Sequence, residues 1–253
     1  MRSRGQRFAL PLISRDVRWS GVSGGEMRSE IEAYWGDSQG EHHRYRSWEH
    51  CYDYFHRLGP AAVRDDLDAA SLQLGFYLAS WGMYRGSSFL LQHAYTVHRS
   101  AVVAIADDRF AGLWEVDLGS DASHIELSSL VMELAAALKE AYRPFAPQVG
   151  SAQPTDTLLT KVLLGTVGCL PACDRYFING FKRDGFKYSY LNSTFVKRVI
   201  GFCHEHLDEL RLEQATIMQR SGQFYPLMKL VDMYFWQRGV DREAGITRDT
   251  PPT

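Results

Sequence analysis

The pattern that most restricts this chain is the return of apolar residues at every third or fourth position, with no sustained stretch of strict alternation. Leu127, Leu130, Val131, Leu134 and Leu138 form one such stripe. Leu158, Leu159, Val162 and Leu163 form a second, and Phe195, Val199, Phe202 and Leu210 a third. A helical repeat places each set on one face, which has to be buried against another element. Thr155 or Asp156 suits the cap of the second helix, and Ser193 or Thr194 that of the third, because their side-chain oxygens accept the free amides of a first turn. Pro226 suits the first turn of a helix carrying Leu227, Leu230, Val231, Tyr234 and Phe235. Asp66 to Trp81 reads as a helix ending near Gly82, and Val102 to Ile105 as either a short strand or a buried helix. With nothing alternating long enough to build a sheet, the expected fold class is all-α, mainly helical.

A hydrophobic content of 45% over 253 residues supplies a buried core and fits one large domain or two small ones. The Gly-, Ser- and Arg-rich residues 1–40 are expected to be poorly structured or partly ordered, residues 41–240 to form the helical domain, and residues 241–253 to be a loose tail. Gly119 to Ser123 and Pro144 to Pro154 are the clearest internal breaks. The formal net charge of −2 leaves no global basic field, so any nucleic-acid contact has to come from a local patch. No apolar run approaches the roughly 18 residues that span a bilayer, and the arginine-rich start lacks a signal-peptide core. The expected setting is the cytoplasm, with no membrane partner.

Cys51, Cys169, Cys173 and Cys203 have no paired CxxC arrangement, which argues for buried free thiols rather than zinc or an iron–sulfur cluster. His204 and His206 diverge by roughly 200° around a helix and do not share an ion. No metal and no cofactor are therefore expected. Gly82 and Gly86 complete neither a dinucleotide nor a phosphate-loop pattern, and Ser87 and Ser88 lack the strand-to-helix elbow of a hydrolase nucleophile.

Two segments hold residues that core packing does not require. Leu78-Ala-Ser-Trp-Gly-Met-Tyr-Arg-Gly-Ser-Ser-Phe-Leu90 gathers glycines, hydroxyls, an arginine and aromatic rings into a turn between apolar runs. It is either an ordinary helix–helix corner or a binding element, in which the glycines let the backbone approach a ligand, Arg85 pairs with phosphate, and Trp81 or Tyr84 stacks on a base. In the second, an apolar helix from Lys161 runs through Gly-Cys-Leu-Pro to Asp174 at the entry of an aromatic segment. That carboxylate is either a helix cap or a group able to stabilise a developing cation or activate water. After it come Arg175, Lys182, Arg183, Lys187, Lys197 and Arg198, interleaved with Phe181, Phe186, Tyr188 and Tyr190, which suit a phosphate-tracking groove or a solvated loop and helix face.

The order of helix, polar corner, further helices, apolar helix, and then Leu170-Pro-Ala-Cys-Asp-Arg-Tyr resembles the helix-hairpin-helix superfamily of base-excision DNA glycosylases over roughly residues 66–238. The resemblance implies a two-lobed helical domain in which Asp174 is the catalytic carboxylate that stabilises the sugar cation as the base departs. It also implies that Trp81, Tyr84 and Arg85 wedge into the duplex or meet the orphaned partner base, and that Tyr234 and Trp236, on the late helix, help to wall the base pocket. The family's glycine-rich hairpin is replaced here by Gly-Ser-Ala-Gln-Pro-Thr-Asp-Thr over residues 150–157. Asp156 holds the place of the Schiff-base lysine of bifunctional members, with Lys161 too near Asp174 along the chain. A monofunctional enzyme that leaves an intact abasic site is implied.

The expectation is thus a DNA glycosylase that excises a modified or damaged base by base flipping, with Arg175, Lys182, Arg183 and Lys187 on the DNA; its setting is base-excision repair or, by analogy with bacterial relatives, antiviral defence. Two alternatives stand beside it. One is a non-catalytic DNA- or protein-binding helical module, and the other a small-molecule enzyme using an Arg85, Ser87 and Asp174 pocket.

Overall fold

The computed structural model describes residues 22–40, 42–114, 124–146 and 154–243, and among these every regular element is a helix. In chain order the α-helices are α1 (Gly24–Asp37), α2 (Arg46–Asp65), α3 (Leu67–Ser80), α4 (Arg99–Ile105), α5 (Ala111–Trp114), α6 (His124–Tyr142), α7 (Asp156–Thr166), α8 (Arg175–Arg183), α9 (Ser193–Glu205), α10 (Leu207–Ser221) and α11 (Leu227–Glu243). Short 3-10 turns link several of them. None of the described helices is long and apolar enough to cross a membrane.

The apolar stripes pack as the spacing predicts: Leu127, Val131, Leu134 and Leu138 of α6, Leu158, Leu159, Val162 and Leu163 of α7, and Phe195, Val199 and Phe202 of α9 are all buried in one hydrophobic cluster. Thr155 caps α7, its hydroxyl accepting from the amide of Leu158 at 3.2 Å. The cap of α9 is neither Ser193 nor Thr194 but Asn192, whose side-chain oxygen takes the amide of Phe195 at 2.9 Å. Three adjacent polar residues are competent there, and the one immediately before the first helical residue caps it. Val102 to Ile105 is helical, as part of α4.

Within the segment read as poorly structured or partly ordered, residues 24–37 form α1, which buries Met27, Ile31 and Tyr34. Its Ser23 cap and Glu26 stand at a well-formed helix start. Residues 1–21, the Gly119 to Ser123 break and residues 147–153 of the second break lie outside the described residues. Of the expected tail, residues 241–243 continue α11 and the rest lie outside.

The helices contact one another in two sets. In the first, α2 packs on α3, α4, α5 and α7, while α6 packs on α4, α5 and α7. In the second, first and last helices meet: α11 packs on α1, α8, α9 and α10. The α6–α9 contact joins the sets. The pairing of α8 with α11 is unusually close. A Cβ placed at Gly180 would sit 1.8 Å from the carbonyl oxygen of Phe235, and one at Gly239 only 1.9 Å from that of Tyr176. Glycine at both crossings lets the two backbones touch, so the start of α8 is fixed relative to α11.

Candidate functional site

Where the end of α3, the middle of α7, the start of α8 and α11 converge, they enclose a cleft of about 470 Å³. Its described walls are Arg44, ahead of α2; Ser80, Trp81, Gly82, Met83 and Arg85; Thr157 and Lys161 of α7; Asp174, Arg175 and Tyr176; and Trp236 of α11.

Local sequence explains how each part arrives there. Helix α3 ends on Gly82, which adopts φ +73° while the amides of Gly82 and Met83 return to the carbonyls of Ala79 and Leu78 at 2.9 Å each. This double closure is a Schellman stop, and it directs the chain after Trp81 across the cleft mouth. The turn from Pro171 to Asp174 is held from two sides. Thr160 Oγ1 accepts the Cys173 amide at 2.8 Å, and Thr157 Oγ1 donates to the Cys173 carbonyl at 2.9 Å. From the other side, Asp232 Oδ1 of α11 accepts the Ala172 amide at 3.0 Å.

That turn delivers Asp174 as the N-cap of α8. Oδ1 accepts from the amides of Tyr176 and Phe177, both at 3.1 Å, while Oδ2 accepts from Lys161 Nζ at 3.2 Å. The Asp174 side chain is 17% exposed and that of Lys161 4%. One oxygen is therefore committed to the helix amides, and the other edge faces the ammonium on the cleft wall. The helix terminus favours the negative charge, and the pairing compensates the desolvation of Lys161.

The charge around the cleft is mainly positive. Arg44, Arg85 and Arg175 stand exposed at its edge with Lys161 deeper, against Asp174 as the single acidic residue among the described ones that line it. The aromatic component is built as a column: Tyr34 stacks on Tyr45 and Tyr45 on Trp81, each with ring centres 5.0 Å apart. Trp236 meets Tyr34, Tyr45 and Tyr176 edge-on. Lys161 Nζ lies 4.7 Å from the Trp81 ring centre and Arg44 Cζ 5.8 Å, so cations hold both a carboxylate and an aromatic face here.

Below Trp81 lies a second, smaller chamber, also bordered by Lys161, Asp174 and Trp236 and floored by Lys229 and Asp232. Lys229 Nζ bonds Asp232 Oδ2 at 2.8 Å and the Tyr34 hydroxyl at 3.0 Å, over the rings of Tyr34 and Trp48. Burial pulls Lys229 below the usual lysine range and pushes Asp232 above the usual carboxylate range, with each partner opposing the other's shift. The indole N–H groups of Trp81 and Trp236 are buried and have no hydrogen-bond partner among the described residues.

Of the residues singled out in the sequence, Trp81, Arg85, Asp174, Arg175 and Trp236 come together on this cleft. The others do not line it. Tyr84 turns its hydroxyl to His98 Nε2 at 2.7 Å, Ser87 is exposed, and Lys182, Arg183 and Lys187 are exposed at the end of α8 and beyond. Tyr234 is fully buried and donates to Asp184 at 2.7 Å, which makes it a core anchor for the loop after α8. Asp156 is likewise tied up, accepting from the Tyr188 hydroxyl and the Leu191 amide. Lys161, set aside for its nearness to Asp174 along the chain, is its direct partner in space. Arg44, Thr157, Thr160, Lys229 and Asp232 belong to neither of the two segments nor to the basic run that the sequence sets apart. Only the last two left a signal, since opposite charges three apart inside the apolar run Leu227 to Trp236 mark an internal ion pair.

All four cysteines are free and buried, and burial pushes the Cys169 thiol up to about 12, with Cys51 and Cys173 higher still. Thiolate chemistry at neutral pH is thereby disfavoured. Among the described residues, no group of three or more His, Cys, Asp or Glu is placed to hold a metal ion. Compared with known proteins, the chain matches no family model, no curated protein and no solved structure.

Proposed function

We propose that this chain is a monofunctional DNA glycosylase, two-lobed in the manner of the helix-hairpin-helix superfamily, which draws a modified or damaged base into the cleft and hydrolyses its N-glycosidic bond beside Asp174. The observation that carries the reading is the Asp174 carboxylate, fixed at a helix start yet still reaching the wall of a cleft of about 470 Å³. Clefts of about 300–1,000 Å³ accommodate small molecules of nucleotide size.

Arg44, Arg85 and Arg175 supply donors for the phosphates on either side of an extruded nucleotide, and their contribution weakens with salt. Trp81, Tyr176 and Trp236 offer ring faces and edges to the base. As the bond from sugar C1′ to the base nitrogen breaks, its electron pair leaves with the base and positive charge develops on the sugar. A fixed carboxylate at this point opposes that charge without reorganising. Water then adds to C1′, and the proton it releases ends on the departed base, which is set free as the neutral base beside an intact abasic sugar. Lys161 Nζ is engaged by Asp174 Oδ2 at 3.2 Å and lies against the Trp81 ring, a placement that suits a wall of the cleft more than a nucleophile and supports a monofunctional reaction.

The helix-capping geometry of Asp174 also favours the reading as a non-catalytic binding module, in which the carboxylate only ends a helix. Asp174→Asn separates the two, because asparagine caps nearly as well as aspartate but carries no charge. The test is mass spectrometry of bases released from a panel of modified duplexes. The glycosylase reading expects release by the wild type, loss of release with binding retained in Asp174→Asn, and no borohydride-trapped adduct. Binding by both proteins with release by neither would establish the module. The small-molecule alternative is disfavoured by Ser87, which stands outside the cleft.

A further inference from the structure

The pair Lys229–Asp232 is the least expected feature of the molecule. Both residues lie on the inner face of α11, almost wholly removed from solvent. A buried ion pair is expensive to desolvate, and well-packed apolar residues of similar size usually serve stability equally well. Something other than stability has to account for its form.

Its geometry supplies the account. Asp232 uses one oxygen for Lys229 and gives the other to the amide of Ala172, two residues before Asp174. No apolar side chain could make that second bond. Together with Thr160 and Thr157 on the opposite side, it fixes the peptides of Ala172 and Cys173 and so sets where the Asp174 carboxylate points. The close crossing at Gly180 and Gly239 ties α8 to the same helix, so a single element holds both the turn and the helix that Asp174 caps. Lys229 opposes the upward shift that burial gives its partner, and the Tyr34 hydroxyl and the rings of Tyr34, Trp48 and Trp81 lie around its ammonium group.

We infer that Asp232 is a positioning residue for Asp174, acting through the Ala172 amide, and that Lys229 is present to neutralise it. The inference rests on the reading of Asp174 as the working carboxylate. It predicts that the acceptor at position 232 matters more than the charge.

Two double variants test this, each removing both charges so that neither leaves a lone buried ion: K229M/D232N, which retains an acceptor for Ala172, and K229M/D232L, which does not. Both are expected to fold with melting temperatures close to each other. In single-turnover base release, K229M/D232L should lose about a hundredfold in rate, the scale of a small displacement of a reacting group, with duplex affinity unchanged. K229M/D232N should recover most of that rate. Amide exchange at Ala172 to Asp174 should quicken in K229M/D232L alone. Equal release rates in the two variants would overturn the inference. Should the wild type release no base from any duplex, the glycosylase reading fails separately, and the exchange rates together with the carbon-13 titration of the Asp174 carboxyl decide: a difference between the variants upholds the positioning role, and identity refutes it.

Discussion

On either side of the corner between α3 and α4 the protein buries a polar cluster, and it does so in opposite ways. Below Trp81 it uses full charges, Lys229 against Asp232, with side chains 3% and 4% exposed. Beyond Tyr84, only three residues further on, it uses a neutral chain. His98, fully buried, bonds the Tyr84 hydroxyl at 2.7 Å and the Tyr142 hydroxyl at 2.8 Å. Burial brings the His98 imidazole down to about 3 and raises the Tyr84 hydroxyl to about 12 and Tyr142 beyond its usual range, so all three groups are uncharged at neutral pH. The neutral chain anchors the corner to α4 and α6. The charged pair instead lies beneath the cleft and holds the turn that carries Asp174. Of these two clusters, the neutral one anchors the corner and the charged one lies beneath the cleft.

The sharpest way to break this contrast is to remove one ion. Lys229→Met leaves Asp232 buried and unpaired and should cost about 3–5 kcal/mol of unfolding free energy, measured by denaturant melts at neutral pH. Lys161→Met also breaks a pair, but Asp174 retains two helix amides and some solvent, so the loss should be smaller, about 1–3 kcal/mol. Equal losses would mean that the two pairs share one environment and that the contrast in burial has no energetic meaning.

Acid separates the clusters next. The folded His98 value of about 3 lies below the ordinary 6.5, so the unfolded chain binds the extra proton first. The stability associated with neutral His98 is fully present above about pH 6.5 and lost as pH falls toward about 3, at roughly 1.4 kcal/mol per pH unit for one proton. His98→Gln keeps a donor and an acceptor but cannot titrate. Its stability deficit relative to wild type should therefore shrink steadily between pH 6.5 and 4, and a constant deficit would show that His98 does not hold this shifted equilibrium.

How much of this could be read beforehand differs between frame and site. The stripes of α6, α7 and α9 need only local spacing, and their burial followed it. Asp174, Trp81 and Arg85 are recognisable because each stands out chemically from its neighbours, Arg175 as the first of a basic run, and Trp236 only through the family resemblance of the late helix. The residues that do not reach the cleft are those whose placement depends on direction. Tyr234 lies one position from Phe235 and two from Trp236, and only the rotation of α11 about α8 decides that Trp236 reaches the cleft while Tyr234 turns to Asp184. Lys161 stands too near Asp174 along the chain for the family's Schiff-base position, and spacing alone says nothing of their pairing, which the turn held by Thr157, Thr160 and Asp232 creates. Hydroxyls such as Thr157 and Thr160 carry no pattern at all until the backbone they hold is known.

The smallest expected effect is the most discriminating. Asp174→Asn should cost about 1 kcal/mol: the cap is unchanged, asparagine and aspartate being near equals at that position, and what is lost is the attraction to Lys161. Lys161 is then left as a nearly buried ammonium with only a neutral amide and the Trp81 ring beside it. A loss instead approaching that of Lys229→Met would place this pair in the same class as the deep one, with a carboxylate doing structural duty. A small loss accompanied by abolished base release assigns the Asp174 charge to the cleft. Thermal melts and release assays on the same preparation distinguish the two, and Lys229→Met, measured alongside, sets the scale on which small is judged.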